Sequence, residues 1–133
     1  MDAPLSDLAR LLRHLEPELH EGIYAFVLLP HGADLTGLDA VATVREAEGL
    51  TVVVPEATAL ANHWPVLFRA AWITLRVPSD LNAVGLTAAF AGALAQAGIS
   101  CNVVAGACHD HLFVPVDEAA PALAALRSLQ LRS

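Results

Sequence analysis

Between Ser6 and Leu15 the apolar residues Leu8, Leu11, Leu12 and Leu15 recur three and four positions apart, which places them on one side of a helix. This spacing predicts an amphipathic helix that Pro17 ends. The run Ile23-Tyr24-Ala25-Phe26-Val27-Leu28-Leu29 is short, branched and aromatic, so a strand is predicted from Gly22 to Leu29, with Pro30, Gly32 and Asp34 marking the loop after it. Two more strands, Val41 to Glu46 and Leu50 to Pro55, flank Ala47-Glu48-Gly49, where the glycine can take the positive φ of a tight hairpin. A short helix over Ala57 to His63 is expected to stop at Trp64-Pro65, because proline disfavours the helical conformation of the residue before it.

Alternation returns from Phe68 to Val77, with Trp72, Thr74 and Arg76 on one face of a predicted strand and Ala71, Ile73, Leu75 and Val77 on the other. Ser79, Asp80 and Asn82 are candidate N-caps for a helix reaching Ala97, in which Leu86, Phe90 and Leu94 repeat every four residues and after which Gly98 is the C-cap. A strand from Ile99 to Val104, a turn at Ala105-Gly106-Ala107, a strand from His109 to Val116 and a helix from Asp117 to Leu129 complete the chain. Asp117 and Glu118 suit the positive end of that last helix.

The order is α-β-β-β-α followed by β-α-β-β-α, and the second set is the ferredoxin-like order without its last strand. With six strands, neither half closes alone. The predicted fold is therefore α+β: two ferredoxin-like subdomains, residues 1–65 and 66–133, packed together with mixed or antiparallel sheets and helices on one face. The segment Phe68 to Val77 is the expected shared strand.

Composition narrows the function. A chain of 133 residues, 56% apolar and 16% charged, has the material for a real core. A net charge of −7, with seven arginines and no lysine, argues against nucleic acid or an anionic membrane as partner. Met1-Asp2-Ala3-Pro4 lacks the basic start of a signal peptide, and the most apolar runs fall far short of the roughly 20 residues of a membrane span, so a cytoplasmic location is expected. Cys101 and Cys108 make neither a disulfide framework nor a zinc quartet and are expected as reduced structural thiols. Without a glycine-rich phosphate loop or a nucleophile elbow, the expectation is no catalysis and no cofactor.

The stretch Ser79-Asp80-Leu81-Asn82-Ala83-Val84-Gly85-Leu86 resembles the strand-to-helix turn of ACT domains, with Gly85 in the place of a glycine in the first helical turn. Leu94 to Val104 resembles the end of the ACT helix and its second strand, and His109-Asp110-His111-Leu112-Phe113-Val114-Pro115 its third strand. In the first half, Ala42 to Val53 is similar to the matching hairpin of a small tandem-ACT family, whose mostly uncharacterised members are related to amino-acid sensors. This resemblance covers nearly the whole chain. It implies an amino acid bound at the junction of paired ACT units, frequent dimerisation, here to a homodimer, and no chemistry on the ligand.

By matching positions, the resemblance implies a ligand site drawn from Ser79, Asp80, Asn82 and the backbone at Gly85, from His109, Asp110 and His111, and from Arg45, Glu46, Glu48 and the backbone near Thr51. Cys108 and His109 stand where related sensors carry a threonine or aromatic before the aspartate, so the ligand itself does not carry over. Such a set suits a zwitterion, because helix N-termini and glycine-exposed amides bind carboxylates while carboxylates bind ammonium. Asp110 could hold the ammonium, and Arg45 offers a bidentate alternative for the carboxylate. The same residues also have plain roles: Ser79, Asp80 and Asn82 as caps, Gly85 in helix packing, Arg45, Glu46 and Glu48 as a solvated hairpin. Two alternatives stand beside the amino-acid site. One is a metal held by His109 and His111 with Cys101 or Cys108, although Cys108 should face away from His109. The other is a module that dimerises and binds no ligand.

Overall fold

Residues 7–133 are described in the computed structural model; Ser6 and the Met1–Pro4 stretch lie outside them. Asp7 caps helix α1 (Leu8–Arg13), its carboxylate accepting the Ala9 and Arg10 N–H groups at 2.9 and 3.3 Å. The helix stops at Arg13 with His14 as its cap, short of the expected end at Pro17; Pro17 has another role. It opens a short strand, β1 (Pro17–Leu19), which the periodicity gave no hint of, since proline is tolerated as the first residue of a strand. The expected six strands are therefore seven among the described residues.

The others are β2 (Tyr24–Leu29), β3 (Ala42–Glu46), β4 (Gly49–Pro55), β5 (Phe68–Leu75), β6 (Asn102–Ala105) and β7 (Asp110–Pro115), with helices α2 (Glu56–Ala61), α3 (Leu86–Gln96) and α4 (Ala119–Leu131). All pair antiparallel in the order β3-β4-β2-β5-β7-β6, with β1 also beside β5. Along one edge β5 binds β2 through Phe68 to Ala70 and then β1 through Ile73 to Leu75. Along its other edge Ala70 to Leu75 binds β7. The sheet is thus two ferredoxin-like groups, β3-β4-β2-β5 and β1-β5-β7-β6, that hold β5 in common, and the strand missing from the second half is supplied by β1.

Side-chain alternation fixes the layers. Ala25, Val27, Leu29, Val52 and Val54 pack under α2, while Ala71, Ile73, Leu75, Leu112 and Val114 pack under α1, α3 and α4 through Leu11, Leu15, Leu86, Phe90, Leu94 and Leu126. All helices therefore sit on one face. The opposite face carries none, yet it buries Val53, Ala70 and Phe113 among Tyr24, Phe26, Phe68 and Trp72. Val41 and Ala42 at one edge of the sheet and Val104 at the other join this same cluster, so the sheet curls until its edges approach across the helix-free face. Gln130 on α4 ties both ends of the chain together, accepting the Glu16 N–H and donating to the Arg13 carbonyl, each at 3.0 Å.

Several boundaries shift for physical reasons. Helix α3 starts at Leu86 rather than directly after Ser79, Asp80 or Asn82, because Asp80 spends its carboxylate on the Asn82 N–H (2.8 Å) in a local turn and Gly85 takes the cap position in the left-handed region (φ 96°). Gly98 (φ 76°) ends α3, donating to the Ala95 carbonyl while Ile99 donates to that of Leu94, and buried Ile99 delays the next strand to Asn102. His109 precedes β7 rather than beginning it. Asp117 and Glu118 form a 3-10 turn before α4 instead of its first turn.

In the β3–β4 hairpin the glycine expected to supply a positive φ does so: Gly49 has φ 156°, and a Cβ there would stand 2.5 Å from the Leu29 carbonyl oxygen. Gly49→Ala is expected to destabilise the protein by about 2 kcal/mol or more. Gly92→Ala in α3, where nothing lies within 4 Å, should stabilise it by roughly 0.5–1 kcal/mol. Urea unfolding of both variants checks the contrast.

Candidate functional site

Asp110, the first residue of β7, faces Leu75 on one side and Ala105 on the other. Only 8% of the residue is exposed, yet its carboxylate oxygens are not sealed from solvent: among the described residues it is Glu118 Oε2 that is fully buried without a partner. Burial pushes the Asp110 pKa up, an effect that His111 and His109 partly oppose. Asp110 lines a cleft of about 70 Å³ together with Ser79, Asp80, Leu81, Leu86 and Thr87. The N-terminus of α3 opens there, and Gly85 offers no side chain to cap its first N–H groups.

Of the expected site residues, the structure brings Ser79, Asp80 and Asp110 together. Asn82 is exposed beside them with its N–H bound to Asp80. Gly85 is required for its positive φ and lies against α1, since a Cβ there would come within 3.2 Å of Leu8. Arg45, Glu46, Glu48 and Thr51 do not join this group. They lie on the β3–β4 hairpin, and β4, β2 and β5 stand between β3 and β7. There Glu46 accepts the Thr51 hydroxyl, and Arg45 and Glu48 are exposed.

The two histidines also separate. His109 brings its Nδ1 to 3.5 Å from the Val77 carbonyl, whereas His111 is on the helix-free face, paired across from Thr74. No three His, Cys, Asp or Glu side chains gather as a metal site among the described residues, so His109, His111, Cys101 and Cys108 form no such set. Burial pushes the Cys101 thiol up to about 11, and Cys108 is exposed.

A second, larger cleft of about 320 Å³ opens on the helix-free face, lined by Tyr24, Trp72, Phe113, Val104 and His111 and by the Asp39–Ala42 segment. Its floor is a hydrogen-bonded chain. Between β1 and β2, the residues His20 to Ile23 stand opposite only Ala71 and Trp72 of β5, and this bulge lays the His20 ring on the Trp72 indole (3.5 Å, 7°). The indole N–H, which can only donate, is 3.1 Å from His111 Nδ1, so that nitrogen accepts. The Thr74 hydroxyl stands between the two imidazoles, 3.1 Å from the same Nδ1 and 2.6 Å from His20 Nε2, and its one proton is shared with one of them according to the His20 tautomer. A proton on His111 Nδ1 would face the indole N–H, so the arrangement holds this imidazole neutral.

Family models described as ACT domain match residues 3–71 and 68–128. The chain belongs to the ACT-domain family. The two matches overlap within β5, the strand that pairs with both groups. This tandem-ACT chain is similar to a Vibrio cholerae protein of unknown function, described as a possible transport protein, at 45% identity and TM-score 0.84, over 92% of this chain and 95% of that one. An Agrobacterium tumefaciens protein matches at 16% identity and TM-score 0.68, over 86% and 87% of the two chains. The ligand-free regulatory subunit of aspartate kinase from Thermus thermophilus matches at 11% identity and TM-score 0.62, over 85% and 95%. The last two likenesses are of fold. No curated protein matches the chain.

Sequence reasoning about the ACT chain missed the His20, Trp72, Thr74 and His111 network as a unit. The alternation put Trp72 and Thr74 on one face, but His20 reaches them only through a strand and a bulge that leave no periodic signal. Burial lowers the pKa of both imidazoles, with His109 and His20 adding to the effect at His111. A histidine with a depressed folded-state pKa takes up its proton more readily when unfolded. Its stabilisation is therefore complete above the ordinary range near about 6.5 and is lost as the pH falls through the folded-state value. Urea midpoints should fall on acidification through that window, and His111→Gln, whose carbonyl can still accept the indole N–H, should fall less.

Proposed function

We propose that this ACT protein is a non-catalytic regulatory module whose ligand is an amino acid held in the cleft between Asp110 and the N-terminus of α3. The observation that carries this reading is Asp110 itself: a carboxylate on a residue only 8% exposed, lining a cleft with Leu86 and Thr87 at a helix N-terminus that no side chain caps. These are complementary to the two ends of a zwitterion. The ammonium would bind Asp110 through charge-assisted hydrogen bonds, and the carboxylate would accept from the first N–H groups of α3. Ser79 and Asp80 border the head group, while Asn82, Gly85 and His109 shape the surroundings without lining the small cleft, and His111 lies on the opposite face of the sheet.

The cleft of about 70 Å³ is only a few times the ~30 Å³ that one water occupies. It takes a head group and leaves the ligand's side chain outside, where a second copy of the chain can contact it. A homodimer in the cytoplasm fits this arrangement, and the acidic, lysine-free chain is not suited to nucleic acid or an anionic membrane. Arg45, Glu46, Glu48 and Thr51 belong to the site only if a partner copy presents them. The aspartate kinase neighbour, named a regulatory subunit, supports regulation as the role.

A thermal-shift screen against the twenty amino acids tests the proposal. A ligand at 100 times its dissociation constant stabilises by about 2.7 kcal/mol, which raises melting by several degrees. Asp110→Asn should abolish that response. Because burial disfavours the charged carboxylate, the same variant should leave the ligand-free protein at least as stable at neutral pH. A response unchanged in Asp110→Asn would remove Asp110 from the site, and no response to any amino acid at millimolar concentration would defeat the proposal.

A further inference from the structure

The cleft on the helix-free face is built independently of the one at Asp110 and has a different chemistry. Tyr24, Trp72 and Phe113 give it aromatic walls, and Val41, Ala42 and Val104 close it from the two edges of the curled sheet. These walls are held in place before any ligand arrives. Trp72 is stacked on His20 and bonded to His111, and the Tyr24 hydroxyl donates to the Glu21 carbonyl (3.1 Å), which turns its polar tip to the backbone. Tyr24 meets Trp72 edge-on at 5.3 Å, and Val41 is pinned to β4 by its N–H on the Val53 carbonyl (2.8 Å). A site already in its binding geometry loses little freedom when it is filled.

Charge then selects the occupant. Asp39, exposed, is the one carboxylate of the lining; no arginine lines the cleft among the described residues, and the whole chain carries −7. His111 is held neutral by the indole N–H on its Nδ1. An anion finds no counter-charge there, whereas the Tyr24 ring, the Trp72 face that His20 leaves free and the Asp39 carboxylate attract a cation. The volume of about 320 Å³ lies at the lower end for small-molecule sites and suits one ring with a short chain. We propose that this cleft is a second ligand site, taking a small aromatic amine whose ring lies among Tyr24, Trp72 and Phe113 and whose ammonium meets Asp39.

Phenethylamine and 3-phenylpropionate, equal in ring and chain but opposite in charge, provide the test by isothermal calorimetry on the full chain. Phenethylamine should bind at one per chain and 3-phenylpropionate should not. Asp39→Asn should weaken the amine about three- to fivefold, as expected for an exposed charge pair, and asparagine tolerates the left-handed backbone at this position (φ 54°). Val104→Trp, which fills the cleft from a half-buried edge position, should abolish binding; if that variant does not fold, Asp39→Asn decides alone. Absence of amine binding at millimolar concentration, equal binding of the anion, or binding that survives Asp39→Asn unchanged would overturn the proposal. So would amine binding that disappears in Asp110→Asn, since that places the amine in the other cleft.

Discussion

Everything in this molecule depends on β5 being hydrogen-bonded along both edges by strands from both halves of the chain. A backbone group buried without a partner costs as much as a lost hydrogen bond, so a central strand must be matched along its length. Phe68–Leu75 meets this condition only because β2 and β1 follow one another along one edge while β7 covers the other. The handover from β2 to β1 forces the His20–Ile23 bulge opposite Ala71 and Trp72, and that bulge puts an imidazole flat against the indole. A backbone constraint thereby shapes the floor of the larger cleft.

The two faces of the sheet solve different problems. On the helix side the strands need only apolar side chains, and α1, α3 and α4 close over them with Leu11, Leu86, Phe90, Leu94 and Leu126. On the other face there is no second layer, so the sheet covers itself by curling, and the polar groups set among its aromatic residues satisfy one another. Thr74, 1% exposed, is tolerated there because two imidazoles flank its hydroxyl. Asp110 is the contrasting case: 8% exposed on the helix side of the sheet, it turns to a small cleft rather than to another side chain.

Much of the fold was legible because its long elements obey a simple period. The four-residue repeat of Leu86, Phe90 and Leu94 describes what that helix buries; the alternation in Phe68–Leu75 sorts the two faces, although Ala70 and Thr74 on the helix-free face are buried as well. A shared strand was expected from a count of six, which the structure raises to seven. What escaped were elements whose local chemistry points two ways: Pro17 reads as a helix stop yet opens a strand, and Ser79, Asp80 and Asn82 are capping residue types occupied in a turn of their own. Asp110, Ser79 and Asp80 could be named from the ACT resemblance because one turn and one strand bring them together. Arg45 and its neighbours could not be placed in the same way, since distance across a sheet is set by strand order, which spacing along the chain does not reveal. The His20 and His111 network was hidden for the same reason.

The Gln130 clasp has a consequence for how such a chain comes to be. Its amide joins the backbone at Arg13 and Glu16 to the last helix, and β1 waits beside them for β5. As the polypeptide leaves the ribosome, α1 and β1 appear early; β1 can pair once Ile73–Leu75 are made, whereas the clasp waits for the last helix. Contacts this far apart in sequence make for slow closure, so the nascent protein passes through an interval in which the edge of β5 that β7 will cover is unpaired and within reach of a chaperone or a neighbouring chain.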